Sequence, residues 1–552
     1  MNFKGIVSIT KPDYQEAIVN SKIIKGYQNL NHCFHGDIVE ATETKIIKVI
    51  KTDIQDIMIP GILHINSKYK FGFNRKKMPI YRFVPLDWKY PDFMVASSMK
   101  GENKNVVIKF MNWNNKFPNG RIVKVYDHFD YELLLYKWNL YQPTIKFNLD
   151  EDFSPLDYFS ALELINHKDY RNIEVFSIDP IGSQDIDDAL SIQKIDNKYR
   201  VGIHIADVSF YLRYFNLNKL IENRYSSIYL PNKVINMIPD ILANNICSLR
   251  EKKDRLAFTI WIIFNDQYEI IDYSSSKTII RNRKQYSYEE ADKIFVDQYI
   301  NNISKHLGKN MFNMDIDIWN SHKMVEVYMI LCNHLVALML KDKKDTIYRI
   351  HQSKNEENTG NIPNELKNIV KILHSNSAEY VSNINNQDYI HRGLNIKYYT
   401  HFTSPIRRIV DIYIHQILNS DTIHLLDIDC DKINQYNKSV KKLERDINKH
   451  KFIQSIIQSG LLNYEAYIIK IEEYHLTIYI PSEKIIYRFR TFNKLLDHMI
   501  KVELKENKII YLNQDSVKDT ELNLYEKIDI TIHSKYDNRN IGIVIDKLNK
   551  LY

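Results

Sequence analysis

Over roughly the first 140 residues, apolar and polar positions alternate with the period of two expected of half-buried strands. "FKGIVSI", "EAIVNS" and "GDIVEATETKIIKVIK" carry this pattern, and Gly26, Asn31 and Gly36 mark turns between them. "PGILHINSKY", "FMVASS", "NVVIKFMNW" and "FPNGRIVKVYD" extend it. Two small β-barrels in series are expected, over 1–50 and 51–140. Residues 141–172 show no clear period before "SPLDYFSALELINHKDY", which predicts a linker with one helix.

From 173 to 455 strands and helices mix. "IEVFSI" and "KYRVGIHIADVSFYL" read as strands, whereas "MVEVYMILCNHLVALMLK" keeps helical spacing for about five turns. "TSPIRRIVDIYIHQIL" predicts a helix with Ser404 as N-cap and Pro405 at its first position. The tail from 456 to 552 returns to short strands and suggests a third barrel. The pattern is that of an α+β multidomain chain, without internal repeats or low-complexity blocks.

Composition changes this picture little. The chain has 552 residues, too many for one ordinary domain, and 44% of them are hydrophobic, enough for real cores. No run approaches the roughly 18 apolar residues of a membrane span, so no membrane partner is expected. The start, "MNFKGIVSITKPDYQEA", lacks a signal-peptide pattern, and Cys33, Cys247, Cys332 and Cys430 form no C-x-x-C pair. An intracellular, cytoplasmic protein is expected, with the nucleus also open. The net charge of +7 permits a nucleic-acid partner. It does not demand one, because a bias toward Ile, Asn, Lys and Tyr also produces basicity.

The distinctive chemistry lies in "FSIDPIGSQDIDDALSI", where Asp179, Asp185, Asp187 and Asp188 crowd together with no Lys or Arg between Arg171 and Lys194. A calcium loop of the EF-hand type needs a different spacing. A solvated acidic turn is the plain account of a charge run. A magnesium site is the stronger one: Mg²⁺ takes oxygen ligands, and a cation relieves the repulsion between converging carboxylates. Gly182 and Ser183 let the loop fold back so that Asp179 meets the later three.

"SIDPIGSQDIDDAL" resembles the signature of the ribonuclease II (RNB-domain) exoribonucleases, which include the catalytic subunit of the eukaryotic exosome. "VGIHIADVS", "SIYLPNKVINMIPDILANNICSLREKKDRLAF", "VEVYMILCN", "YRIH" and "YYTHFTSPIRRIVDIYIHQIL" follow in the family's order. "GYQNLNHCFHGDIVEA" and "FPNGRIVKVYD" look like its paired cold-shock barrels. The resemblance implies two N-terminal OB-fold barrels, an RNB catalytic domain over 173–455 and a C-terminal OB-fold barrel over 456–552. Relative to the exosome subunit, the additional N-terminal PIN nuclease domain is expected to be missing.

The same resemblance implies that Asp179, Asp185 and Asp188 bind Mg²⁺, two ions in the active complex, with Asp187 the essential carboxylate beside them. It places Arg407 on the scissile phosphate, although on the residues alone an ion pair with Asp411 is the plainer account of that arginine. Tyr229, Tyr288, Glu326 and Arg408 would contact RNA. A lone tyrosine is more often core, while an acid on an apolar helix face is costly unless it is paired. His204, Asp207, Arg349 and His351 would support the ligands or touch the RNA backbone, and His351 could equally be a core histidine. Ile409 and Gln416 depart from the family pattern, away from the metal ligands.

The implied activity is processive 3′→5′ hydrolysis of single-stranded RNA to nucleoside 5′-monophosphates. The protein would act as a monomer that can dock on a larger RNA-degradation assembly. The competing readings are an inactive RNA-binding adaptor of the same fold and a DNA exonuclease.

Overall fold

The computed structural model describes the chain except residues 1, 12, 69–70, 151–152, 161–162, 296–297, 315–318, 353–361, 364, 368, 371–376, 383–388, 420–425, 461, 473–474, 491–498, 506–507, 514–519, 537–540 and 549–552. It divides into two compact units, one of 1–141, 361–367 and 438–552, the other of 142–360 and 368–437.

In the first unit the alternating N-terminal segments form a five-stranded sheet, ordered Lys22–Lys25, Glu16–Val19, Phe3–Ile9, Ile38–Ala41, Ile46–Lys51. A closed five-stranded barrel follows, built from Met58–Leu63, Ile80–Pro85, Phe93–Ala96, Lys104–Asn112 and Asn119–Tyr126. The two share one apolar core, in which Phe34 meets Phe93 and Trp113. The tail supplies another five-stranded sheet, centred on Leu462–Glu472, and a three-stranded one over Met499–Asn523. The chain is thus the α+β multidomain assembly, small β-sheets and a barrel beside a mixed α/β domain, that its hydrophobic pattern predicts.

The second unit is organised by a six-stranded sheet, ordered His167–Asp169, Ile270–Tyr286, Val175–Ile178, Asp188–Ile195, Lys198–Ala206, Asp254–Phe264. The 17-residue strand Ile270–Tyr286 pairs through 282–286 with Val175–Ile178 and through 270–281 with Asp254–Phe264, so the sheet rejoins itself. The helix Ser321–Met339 packs its apolar residues Met324, Val327, Tyr328 and Leu331 into the same core. No helix among the described residues is long and apolar enough to cross a membrane.

Three local expectations change. Among the described residues, "SPLDYFSALELINHKDY" yields the helical turn Pro155–Tyr158 and then the strand His167–Asp169; Phe159 is already extended and turns into the core. The strand "KYRVGIHIADVSFYL" stops at Ala206, because the Asp207 carboxylate accepts the Phe210 N–H and opens the helix Val208–Tyr214. The helix in "TSPIRRIVDIYIHQIL" begins at Ile409 rather than Pro405. Here tertiary bonds outcompete local capping. The Ser404 N–H goes to Asp411, and Arg408 is drawn out to φ −137° by a bridge to Ser226.

At the sheet's centre, Gly202 leaves room for a buried polar chain in which Ser191 bonds His204 at 2.9 Å, His204 bonds Thr259 at 2.8 Å, and Thr259 bonds Thr278 at 2.6 Å. A Cβ on Gly202 would lie 2.6 Å from Ser191 Oγ and 2.9 Å from His204 Nε2. Gly202→Ala should therefore lower stability by about 1–3 kcal/mol, as overpacking does, and thermal unfolding will read it.

Candidate active site

Two antiparallel neighbours in the sheet, Val175–Ile178 and Asp188–Ile195, are joined by the loop that carries the aspartates. Asp179 continues the first strand, with its N–H on the Tyr286 carbonyl at 3.0 Å. Asp188 opens the second strand. Ser248 fixes the loop between them: its hydroxyl accepts the Ile186 N–H at 3.0 Å and donates to the Gln184 carbonyl at 2.6 Å. Nothing in the sequence marks Ser248, a serine in a turn far along the chain, as the pin of this loop.

The four carboxylates differ in their surroundings. Asp187 is 4% exposed and accepts the Ile406 N–H at 2.8 Å and the Arg407 Nε at 3.1 Å. Burial pushes its pKa up to about 7 against the pull of Arg407. Burial raises Asp179 to about 6, which a Ser177 hydroxyl offsets only in part, and its Oδ2 is buried without a hydrogen-bond partner. Asp188 is raised well above the carboxylate range, by burial first and then by Asp179 and Asp187 beside it. Asp185 accepts the Tyr229 hydroxyl at 2.6 Å, which in turn pushes that phenol upward together with burial.

These acids are neighbours electrostatically. Among the described residues, however, no three His, Cys, Asp or Glu side chains converge into a finished metal-ligand set. The chemistry of the donors still suits a hard cation: they are all oxygen, mutually repelling, and one acceptor is orphaned.

Arg407 is 46% exposed, bonds Asp187 and Ser404 Oγ, and keeps the rest of its fork toward solvent. The expected ion pair with Asp411 is not made by Arg407. It belongs to Arg408, whose Nη2 donates to Asp411 at 2.8 Å. The cause is the displaced helix start: Arg408 is the N-cap residue, three positions before Asp411 in the first turn. Arg408 is thereby committed to a buried carboxylate, a poor position from which to meet RNA.

Tyr288 begins the helix Tyr288–Ile294 directly after the strand that holds Asp179, and burial first, then Asp188 and Asp179, push its phenol up to about 12. Its ring lies on His322 with centroids 3.4 Å apart and planes 10° from parallel. Glu326 sits one turn beyond His322. It is not the unpaired acid on an apolar face that its helix suggests: it is 47% exposed and pairs with Lys323 at 3.3 Å.

The remaining candidates support the fold. Burial holds His204 near a pKa of about 3, and both of its ring nitrogens are satisfied within the sheet. Asp207 caps a helix; burial works to raise it, yet Lys277 and His167 hold it well below the carboxylate range. Arg349 lies over the Tyr380 ring at 4.6 Å, and His351 Nδ1 accepts the Gly393 N–H at 3.1 Å. Ile409 is fully buried, and the Gln416 side-chain oxygen accepts the Leu426 N–H.

A carboxylate cluster and an arginine fork thus stand together at one end of the mixed sheet. The family model described as the RNB domain matches residues 167–314 and 308–421, and the chain is similar to that family over this stretch. It is 28% identical to a ribonuclease R of Chlamydia pneumoniae, over 59% of this chain and 60% of that one. It is 25% identical to the human exosome complex exonuclease RRP44, over 99% of this chain and 70% of that one. The chain therefore spans about three fifths of the length of the first of these relatives.

Among solved structures, it resembles Mycoplasma genitalium RNase R in complex with ribose-methylated single-stranded RNA. The TM-score is 0.77 at 16% identity, covering 98% of this chain and 100% of the other. It also resembles a yeast pseudonuclease, with TM-score 0.73 at 14% identity and 100% and 97% coverage. At these identities the likeness is one of fold.

The raised carboxylates set a sign for stability. Their folded pKa values lie above the unfolded value of 3.8, so the folded state holds extra protons between the two and loses stability as pH rises through that window. Asp188→Asn should thus raise the unfolding temperature at about pH 8 in EDTA, by about 2–4 °C per kcal/mol of repulsion relieved, and the gain should shrink toward about pH 4. Differential scanning fluorimetry of both proteins across pH checks this.

Proposed function

We propose that the chain is a 3′→5′ exoribonuclease that degrades single-stranded RNA processively to nucleoside 5′-monophosphates. The observation that carries this reading is the meeting of the 179–188 acids with Arg407 at one end of the sheet, joined through Asp187. The match of residues 167–421 to the RNB-domain model supports it. In this reading the barrels over 1–50, 51–140 and 456–552 guide the strand, 141–172 links them, and the catalytic domain spans 173–455. It works as a cytoplasmic monomer or on a larger RNA-degradation assembly, as the relative named for the exosome complex does.

Asp179, Asp185 and Asp188 would hold Mg²⁺, which supplies an acidified water and charge stabilisation for the leaving 3′-oxygen. The rest falls to the chain's own side chains. Asp187 positions Arg407 through the Nε bond, which leaves the solvent side of the guanidinium to meet the scissile phosphate. Tyr229 orients Asp185 through its hydroxyl and offers a half-exposed ring against which a base can stack. Tyr288, braced on His322, and Glu326 one turn away would grip the terminal nucleotide, with Glu326 turning from Lys323 to a ribose 2′-hydroxyl.

The competing reading, an inactive RNA-binding adaptor, draws on the pseudonuclease likeness, which extends to the fold alone. Retention of all four acids and of Arg407 favours the enzyme. Incubating 5′-labelled RNA with Mg²⁺ or EDTA decides between them: shortening from the 3′ end only with Mg²⁺ is expected, and an intact strand in both would overturn the nuclease reading. Asp187→Asn should nearly abolish hydrolysis while RNA still binds in a filter assay. Arg407→Ala should slow single-turnover cleavage by about 10²–10³, the usual effect of losing a donor to transition-state charge.

A further inference from the structure

Beside the aspartate loop lies a cavity of about 620 Å³ that none of the roles above uses. That volume is ample for a small ligand, for which pockets of about 300–1,000 Å³ are usual. Gln184, the residue before Asp185, forms part of its wall. The extended segment 144–149 forms the opposite side. Ile145, Phe147 and Leu149 pack toward the core, which leaves Thr144, Lys146 and Asn148 on the other face of the segment. The third side comes from Asp240, Ile241 and the π-helical turn Leu242–Ile246, which presents Asn244 and Asn245, followed by Arg250. Single π turns are rare and recur at functional sites.

The lining has a definite chemistry. Three amide side chains, Asn148, Gln184 and Asn244, carry both donor and acceptor groups, the complement of a nucleobase edge or ribose hydroxyls, while the Asn245 oxygen accepts from Arg255 at 3.1 Å. Ile241 adds apolar surface for a base face. Arg250 is exposed, makes one long bond to the Asn244 carbonyl at 3.5 Å, and has no ion pair among the described residues. Together with Lys146 it supplies two cations against the single carboxylate of Asp240, whose Oδ1 accepts from Asn236 at 2.9 Å. That balance suits a phosphate monoester.

We propose that this cavity is a second nucleotide site, which takes up the nucleoside 5′-monophosphate leaving the catalytic carboxylates. The identity of the ligand rests on the exoribonuclease reading; the site itself rests on the cavity. Because the Gln184 carbonyl and the Ile186 N–H are both held by Ser248, a nucleotide against Gln184 bears directly on the loop that carries Asp185 and Asp187.

The test is equilibrium binding of uridine 5′-monophosphate to the full chain in EDTA, which silences hydrolysis. Wild type should bind it at least about tenfold tighter than uridine or inorganic phosphate alone, and Arg250→Ala and Asn244→Ala should each weaken binding by about tenfold. Asp187→Asn should bind like wild type. Binding indifferent to Arg250 and Asn244, or lost in Asp187→Asn, would overturn the proposal. Photolabelling of wild type with 8-azidoadenosine 5′-monophosphate covers the case of a variant that fails to fold. Label in the peptides 144–149 or 240–250 supports the site, and label confined to the peptides bearing Tyr229 or Tyr288 sinks it. If the labelled-RNA assay shows no degradation while Arg250-dependent binding persists, the nuclease reading falls and the nucleotide site stands.

Discussion

The carboxylate of Asp187 reaches across 219 positions of sequence to the Ile406 N–H and, one residue further, to the Arg407 guanidinium. A charge nine-tenths out of water is costly, and these two donors, from one tight turn, offset part of that cost. The turn is in turn anchored by the Ser227 N–H on the Arg407 carbonyl and by the Ile409 N–H on the Tyr225 carbonyl. The arginine therefore has no freedom to pair with Asp411, and Arg408 takes that place. The assignment of the two adjacent arginines, one to solvent and one to the interior, follows from where a single buried acid finds its donors.

The site is under internal tension by construction. Asp179, Asp187 and Asp188 each cost stability when ionised, and the protein keeps them together nonetheless. The Ser191–His204–Thr259–Thr278 chain behind them is of the opposite kind: every member is buried, bonded and neutral, and it gives the sheet a rigid floor. The uncompensated charge is concentrated in the aspartate cluster, where a ligand can compensate it, while this hydrogen-bonded chain beneath it carries none.

Much of this was legible in the residues and some was not. Alternation and β-branched runs located the N-terminal strands, and helical spacing located Ser321–Met339, because each of these elements buries one regular face. The acid cluster stood out because nothing nearby in sequence neutralised it. Sequence could not reveal which arginine faces outward, that Ser404 spends its N–H on Asp411, or that Ser248 pins the loop. The arginine and the loop are settled by partners dozens to hundreds of positions away, and the Ser404 bond, though only seven positions long, goes with the displaced helix start. His204 and Asp207 were drawn toward the site by their motif, while the fold uses one as a core bridge and the other as a cap. Glu326 looked buried because its helix is apolar, but it occupies the stripe that faces water.

The rejoined sheet has a consequence for a chain so rich in isoleucine. Its long strand Ile270–Tyr286 is paired along one side by Asp254–Phe264 and along the other by His167–Asp169 and Val175–Ile178. An open sheet of such strands would present a ladder of unpaired N–H and C=O groups, a template on which further chains could add. Closing the ring leaves the three-residue strand His167–Asp169 as the outermost one among the described residues. That short edge carries His167, Lys168 and Asp169, polar side chains that discourage another strand from joining. The curvature that brings the aspartates to one end thus also protects the apolar core from fibrous self-assembly.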